Sequence, residues 1–260
     1  MSATWFSGLS VQPGAPAMGE PPLRLFCFPH AGGGSRFYNL WRQRLAPQVV
    51  EVCAIVLPGR DGRLLEPPYT RMEPLVSDLV EALRPHLDRP FAFFGHSLGA
   101  AVAYETAHRL RQLGLPQPRC LFASGRRAPH SPVPPPFTHQ LSDADLVSEV
   151  LSLNGLPEKA LRRPRALEAI LPSLRADYQI NDTYLPSAGL RLAFPVYAYA
   201  GDDDPLALPV DVAGWRLTTT GAFRVRVFPG DHFYLRDAPP DFATAVLADL
   251  REAALLGVAR

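Results

Sequence analysis

Short hydrophobic runs alternate along the chain with stretches whose apolar residues recur at helical spacing. The runs predict buried strands at residues 23–28, 49–57, 91–94, 119–124 and 194–200, and alternation of apolar and polar residues predicts a further strand at 223–228. Between them, apolar positions three and four residues apart predict helices at residues 35–45, 72–87, 100–113, 210–217 and 241–256. Strands that alternate with helices at this rhythm form βαβ units, so the sequence predicts an α/β fold with a mainly parallel sheet and helices on both faces.

The alternation breaks between residues 126 and 186. The proline-rich segment 132–136 is incompatible with a helix or a central strand, and the pattern after it is helical without strands, over residues 142–153, 160–171 and 174–184. We interpret 126–186 as a helical lid inserted over the catalytic face; the alternative is crossover helices packed on the sheet. Residues 1–21, rich in Ser, Gly, Pro and Ala, predict a flexible tail, which leaves 22–260 as one domain.

The segment Gly95-His-Ser-Leu-Gly99 joins the strand at 91–94 to the helix at 100–113. A G-x-S-x-G pattern between a strand and a helix is a nucleophile elbow. It requires small residues two positions before and after the serine, because the strand and helix backbones nearly touch there. An ordinary glycine-rich turn with a capping serine is common for five-residue patterns taken alone, but here both flanking elements are present. The sequence therefore predicts Ser97 as a nucleophile.

A serine nucleophile needs a base, and the base needs an orienting acid. His232 follows the strand at 223–228, and a run of three aspartates follows the strand at 194–200, at the sheet edge where catalytic groups gather. The chain order Ser, Asp, His is that of α/β hydrolases. The other histidines considered lack a strand-end placement; they are His86, His108, His130 and His139.

The sequence pattern identifies the acid less clearly than it identifies the base. Asp204 is the first choice, because it lies three residues after Gly201 and its conformation is preset by Pro205. Asp202 is second and Asp203 third. Asp231 is adjacent to His232 in sequence, where side chains diverge, and we assign it to the surface.

Acyl chemistry also needs donors for an oxyanion. One is predicted to be the backbone N–H of Leu98, directly after the nucleophile. The other is predicted to be the N–H of Ala31, in the glycine-rich segment 30–34 that follows the first strong strand, as in HGGG-type loops. A phosphate-binding loop is the competing interpretation, but the Lys and Ser/Thr pair of a P-loop does not follow.

Composition narrows the function classes. The formal net charge of +1 gives no argument for nucleic acid or membrane binding, and no segment resembles a signal peptide or a membrane span. The 3 cysteines lie in apolar runs without metal-ligand spacing, which predicts buried thiols, no metal site and no disulfide framework. These features lead us to expect a cytoplasmic protein.

Together these motifs resemble the stand-alone type II thioesterases of polyketide and nonribosomal peptide pathways, and their animal relative, the medium-chain acyl carrier-protein thioesterase. The matching segments are 25–34, 57–60, 90–99, 201–204 and 228–235. The resemblance implies an α/β-hydrolase fold with a mobile lid, and a triad of Ser97, Asp204 and His232 with Ala31 and Leu98 as oxyanion donors. Many relatives have Gly where this chain has Asp231, which affects only the local turn.

The resemblance also implies a substrate and a partner. The substrate is an acyl thioester on the phosphopantetheine arm of an acyl or peptidyl carrier protein, so the enzyme itself needs no cofactor. Because no carrier or synthase segment is fused to the chain, we expect an editing enzyme that acts in trans. The alternatives are a general carboxylesterase or lipase, a medium-chain fatty acyl carrier-protein hydrolase, and a non-catalytic docking protein. Arginines expected at the rim for an acidic carrier are Arg126, Arg127, Arg162, Arg163 and Arg165.

Overall fold

Seven strands form one sheet. The computed structural model describes residues 4–9, 23–45, 49–131, 135–155, 164–187 and 191–256, without the side chains of 164–166 and 255–256. The strands are β1 (Phe6–Ser7), β2 (Leu23–Phe28), β3 (Val50–Ile55), β4 (Phe91–His96), β5 (Leu121–Ser124), β6 (Val196–Gly201) and β7 (Phe223–Phe228). Their order is β1-β3-β2-β4-β5-β6-β7, and every pair is parallel except β1 with β3.

Helices cover both faces of this sheet. They are α1 (Asn39–Arg44), α2 (Met72–Leu83), α3 (Leu98–Gln112), α4 (Asp143–Ser152), α5 (Pro164–Thr183), α6 (Pro209–Ala213) and α7 (Pro240–Leu256). Every residue of β2 to β6 is buried, and successive residues of each strand face two different hydrophobic cores. One core packs against α2, α3 and α6, and the other against α1 and α7. The predicted α/β-hydrolase fold is confirmed.

Residues 4–9 correct the predicted tail of 1–21. Phe6 and Ser7 pair with β3 at the edge of the sheet, and the backbone N–H of Val56 donates to the Trp5 carbonyl at 2.8 Å. The Arg63 guanidinium lies 4.0 Å from the centroid of the Trp5 ring. Two aromatic residues in a polar stretch are too short a run for a strand pattern, so the pairing is determined by the tertiary contacts. The rest of the predicted tail, 1–3 and 10–21, lies outside the described residues.

The segment between β5 and β6 holds α4 and α5. They share a small hydrophobic core of their own, formed by Leu146, Val150 and Leu174. Sequence analysis predicted two helices, at 160–171 and 174–184; instead one helix runs from 164 to 183 with Pro172 inside it. Proline removes one backbone donor from a helix. Contacts that the sequence pattern does not show hold this helix on the C-terminal side of Pro172, through Leu174 and, as described below, Asp177. Residues 160–163 are outside the described part.

The three thiols lie in the core, as predicted. Cys27, Cys53 and Cys120 are each fully buried, and burial raises the pKa of all three well above its usual value. They therefore behave as small apolar side chains. No helix in the described ranges combines the length and the hydropathy needed to cross a membrane.

Candidate active site

Ser97 lies between the end of β4 and the start of α3. Its φ of 55° falls in the left-handed region, where a non-glycine residue is strained. The turn is tight: a Cβ on Gly95 would lie 2.3 Å from the Gly99 carbonyl oxygen, and one on Gly99 would lie 2.1 Å from the Phe28 carbonyl oxygen. Both glycines are therefore required by the close approach of β4, α3 and the end of β2, as the elbow motif predicts.

Ala31 lies in a turn directly after β2. The N–H of Gly33 donates to the His30 carbonyl at 2.9 Å, and Gly32 has φ of 73°. A positive φ at the third position of such a four-residue turn defines a type II turn, which we call the oxyanion turn (His30–Gly33). Ala31 lines the same cavity as Ser97, and Leu98 is the first residue of α3. The two residues predicted to supply these donors therefore come from two different elements, and Ala31 shares the cavity of Ser97.

The structure brings Asp204 and His232 together. His232 Nδ1 lies 2.8 Å from Asp204 Oδ2, and the two side chains are 4% and 0% exposed. Since a carboxylate only accepts hydrogen bonds, Nδ1 carries the proton and Nε2 is left as the basic nitrogen. Asp204 Oδ1 accepts the N–H of Leu206 at 2.9 Å, which fixes the carboxylate from its other side.

The neighbouring aspartates have other partners. Asp202 and Asp203 are exposed, and Asp202 Oδ1 accepts the N–H of Gly230 at 2.8 Å. Asp231 is half-buried and contacts the lid: its Oδ2 accepts a hydrogen bond from Asn154 Nδ2 at 2.7 Å. Its assignment to the surface was therefore incomplete, because the residues that approach it come from a distant segment.

Two further histidines lie beside His232, and both stay neutral. Burial, with a contribution from His232, lowers the pKa of His30 to about 3, and the same causes lower that of His96 well below its usual value. The ring centroids of His96 and His232 are 4.8 Å apart. His96 Nδ1 is 3.0 Å from Ser124 Oγ, which in turn is 2.6 Å from the Tyr234 hydroxyl oxygen. Both rings are therefore uncharged at neutral pH and place no positive charge beside His232.

Ser97, Ala31 and His232 line one cavity of about 50 Å³. The lid supplies its roof through α4 and α5. The lid residues of the lining are Val150, Leu153, Gly155, Tyr178 and Asn181, and the remaining ones are His30, Leu206 and Phe233. Sequence analysis did not identify these lid residues individually, because a helical pattern shows which residues share a face but not what that face covers.

A larger cavity of about 310 Å³ lies between α2 and α3. It is lined by Glu105 and His108 among others, but by none of the predicted site residues. Among the described residues, no side chain or backbone group forms a hydrogen bond with either ring nitrogen of His108, so none of them orients this histidine as Asp204 orients His232. The predicted site residues therefore gather at the smaller cavity and not at the larger one. Within the described part of the chain, no three His, Cys, Asp or Glu side chains are arranged to hold a metal ion.

The expected arginine rim needs a correction. Arg126 is buried and donates from Nη1 to Asn181 Oδ1 at 2.6 Å, so it anchors α5 instead of facing a partner. Burial lowers its pKa to about 10, which leaves it charged at neutral pH. Arg127 is half-buried and donates from Nη2 to the Leu206 carbonyl at 3.2 Å. Arg162, Arg163 and the Arg165 side chain lie outside the described residues.

The chain is similar to known proteins over most of its length. Residues 23–251 match the family model of the thioesterase domain, which covers nearly all of the chain. The chain belongs to the thioesterase family. Members of this family hydrolyse thioesters, and the predicted resemblance to type II thioesterases is confirmed by the relatives that follow.

Thioesterase PikA5 of Streptomyces venezuelae is 42% identical over 232 residues, which are 89% of this chain and 82% of that protein. The RedJ thioesterase from the prodiginine pathway of Streptomyces coelicolor is 40% identical, with a TM-score of 0.81, and the match covers 92% of this chain and 90% of RedJ. BorB, a type II thioesterase from the borrelidin biosynthetic cluster, is 34% identical with a TM-score of 0.81, over 96% of this chain and 97% of BorB.

Proposed function

We propose that this thioesterase is a serine hydrolase that removes acyl groups from the phosphopantetheine arm of carrier proteins, in trans, and so edits polyketide or nonribosomal peptide synthases. The observation that carries the proposal is the 2.8 Å contact between His232 Nδ1 and Asp204 Oδ2, at a cavity that Ser97 and His232 both line. The relatives described above support the class of pathway.

The geometry supports the following steps. Nε2 of His232 takes the proton of the Ser97 hydroxyl as its oxygen attacks the thioester carbonyl. The oxyanion of the tetrahedral intermediate receives the N–H groups of Ala31 and Leu98. The C–S bond then breaks, His232 returns the proton to the leaving thiolate, and an acyl-serine remains. A water molecule then attacks the acyl-serine by the same steps, which releases the carboxylic acid and restores Ser97.

The Asp204 carboxylate orients the base. Its Oδ2 fixes the proton on Nδ1 of His232 and stabilises the imidazolium as it forms, and Leu206 prevents the carboxylate from rotating away. The fold places this carboxylate at the end of β6 and the imidazole after β7, which are neighbouring parallel strands. The acid and the base are therefore held by the sheet itself and not by the lid.

The cavity also bears on how the substrate enters. Pockets for ligands of drug size enclose roughly 300–1,000 Å³, and the cavity above Ser97 is about 50 Å³. An acyl chain with its pantetheine arm therefore requires α4 or α5 to move away from the elbow. We propose that the described state is the closed one, and that the arm enters as the lid opens.

The decisive experiment measures hydrolysis of an acyl group carried on a holo carrier protein. Ser97→Ala and His232→Ala should each lower kcat on the order of 10³-fold or more, and the double variant should lose little beyond either, because the two side chains act in one step. Asp204→Asn should lower kcat on the order of 10³- to 10⁴-fold, whereas Asp202→Asn, with the same change of charge, should stay within about twofold of wild type. Additive losses, or a severe Asp202→Asn variant, would contradict the triad.

A second experiment tests the substrate. The same acyl group is offered on a holo carrier protein, on free pantetheine and as a matched oxygen ester. We expect the highest kcat/KM with the carrier protein, because its surface adds contacts outside the cavity, and the lowest with the ester. An advantage that comes from charge should shrink as salt is added. Equal kcat/KM for all three would favour a general esterase, and a strong preference for medium-length chains would favour fatty acyl hydrolysis.

A further inference from the structure

One buried carboxylate of the lid contacts the turn that carries a proposed oxyanion donor. Asp177, on α5, is 2% exposed. Its Oδ2 accepts the N–H of Gly32 at 2.8 Å, in the middle of the oxyanion turn. The same oxygen accepts Arg60 Nη1 at 2.7 Å, and Oδ1 accepts Arg60 Nη2 at 2.8 Å. A single lid side chain thus contacts two separate segments of the catalytic domain.

Arg60 completes this contact from the other side. It follows β3 and is only 6% exposed, and its Nη1 also donates to the Gly33 carbonyl at 3.1 Å. The guanidinium therefore forms a planar pair of two hydrogen bonds with the Asp177 carboxylate and a further hydrogen bond to the turn. This arrangement fixes the orientation of the carboxylate relative to the guanidinium as well as the distance between them. The sequence contained Arg60 within the motif 57–60, but nothing in the pattern linked that motif to α5.

The hydrogen bond to Gly32 acts on the turn geometry itself. Type I and type II turns differ by a flip of the central peptide, here the one that joins Ala31 to Gly32. The Asp177 carboxylate holds the N–H of that peptide, so it favours the type II form directly. Arg60 holds the carbonyl of Gly33, in the peptide that joins Gly33 to Gly34. Two peptide groups, one in the middle of the turn and one at its end, are therefore held by side chains outside the turn.

We infer that Asp177 and Arg60 are positioning residues that align the oxyanion turn, so that the Ala31 donor is in place only while α5 is seated on the catalytic domain. The inference rests on the proposed function, in which Ala31 is an oxyanion donor. When α5 moves away, Asp177 leaves both Gly32 and Arg60, and the turn loses the contact that selects its form. Closure of the lid and completion of the site then become one event.

The test uses Asp177→Asn, which preserves shape but removes the charge, and Arg60→Lys, which preserves the charge but removes the planar pair. Losing one oxyanion donor costs roughly 10²- to 10³-fold in kcat. We expect kcat for an acyl-pantetheine thioester to fall roughly 10- to 100-fold in each variant, because the donor is misaligned and not absent, with KM within about twofold of wild type.

A matched control and a second measurement separate positioning from folding. Asp143→Asn makes the same charge change in the lid, at a 70%-exposed carboxylate paired with Arg175, and should leave kcat within about twofold of wild type. An alkyl boronic acid, whose tetrahedral adduct with Ser97 places an oxygen at the oxyanion position, should bind Asp177→Asn more weakly by the same factor as kcat falls. A non-hydrolysable thioether analogue should bind both proteins equally.

Three results would overturn the inference. They are an unchanged kcat in both variants, a loss of kcat without a matching loss of boronic acid affinity, and a loss of cooperative unfolding in both variants, which would assign the pair to folding alone. Failure of the proposed function is distinguishable, because wild-type protein would then not hydrolyse the thioester, or Ser97→Ala would be as active as wild type.

Discussion

Gly99→Ala tests whether close backbone packing positions Ser97, the proposed nucleophile. A Cβ at this position would lie 2.1 Å from the Phe28 carbonyl oxygen and 2.7 Å from that of Pro29, both backbone atoms of the segment that leads into the oxyanion turn. Relief of this overlap requires α3 and the end of β2 to separate by about 1 Å. Overpacking of this kind costs about 1–3 kcal/mol, and we expect about 3 kcal/mol because no flexible side chain can yield.

The effect on activity should exceed the effect on stability. A misplacement of about 1 Å between reacting groups costs about 10²-fold in rate, and here it separates Ser97 from Ala31. With a stability of roughly 5–15 kcal/mol the variant remains folded, so urea unfolding and kcat are both measurable on it.

The matched control is Gly62→Ala, where an added Cβ would meet nothing within 4 Å. It should unfold within about 0.5 kcal/mol of wild type and keep its kcat. If Gly99→Ala behaved like Gly62→Ala in both measurements, the account of the elbow as a contact between backbones would be refuted.

Three other predictions concern stability and motion. His30 is neutral in the folded protein and protonates near pH 6.5 in the unfolded chain. The free energy of unfolding should therefore fall as pH drops below 6.5, by about 2 kcal/mol at pH 5 from this group alone. In urea titrations the free energy of unfolding should decline less steeply with falling pH for His30→Gln than for wild type, and equal slopes would contradict the prediction. Asp249→Ala should cost about 3–5 kcal/mol in urea unfolding, because this fully buried carboxylate pairs with Arg226, and a loss below about 1 kcal/mol would argue against that. In hydrogen exchange, amides of α4 should exchange at least about tenfold faster than those of β4, since few buried side chains hold the lid; equal protection would contradict a mobile lid.

Most features of the central sheet, and of the residues at the ends of its strands, were predictable from the sequence. Strands β2 to β6 were predicted because hydrophobic runs of strand length recur between helical patterns. Alternation of apolar and polar residues predicted β7 at its observed bounds, Phe223–Phe228. Asp204 was preferred to its neighbours from local spacing and from the family resemblance, and the structure places that carboxylate, not Asp202, against His232. These features depend on residues close in sequence or on the general geometry of parallel strands.

What the sequence did not predict depends on contacts between distant segments. The two-residue β1 exists because β3 offers it an edge. Arg126 was expected at the surface, yet α5 buries it through Asn181, 55 residues away. The pairing of Arg60 with Asp177 joins residues separated by 117 positions. A hydrophobic pattern records which side of an element is buried, but it does not identify the polar partner that a buried charge meets.

The separate hydrophobic core of the lid has a consequence for how such enzymes diversify. Leu146, Val150 and Leu174 form a core separate from the two cores of the sheet, whereas Ile180, also on α5, packs in one of the sheet cores. Substitutions in α4 that reshape the roof of the cavity above Ser97 therefore cost little of the stability that holds Ser97, Asp204 and His232 in place. Selection on the shape of this cavity can then act on α4 while the catalytic domain stays under purifying selection, so related proteins should differ more in α4 than in the strands.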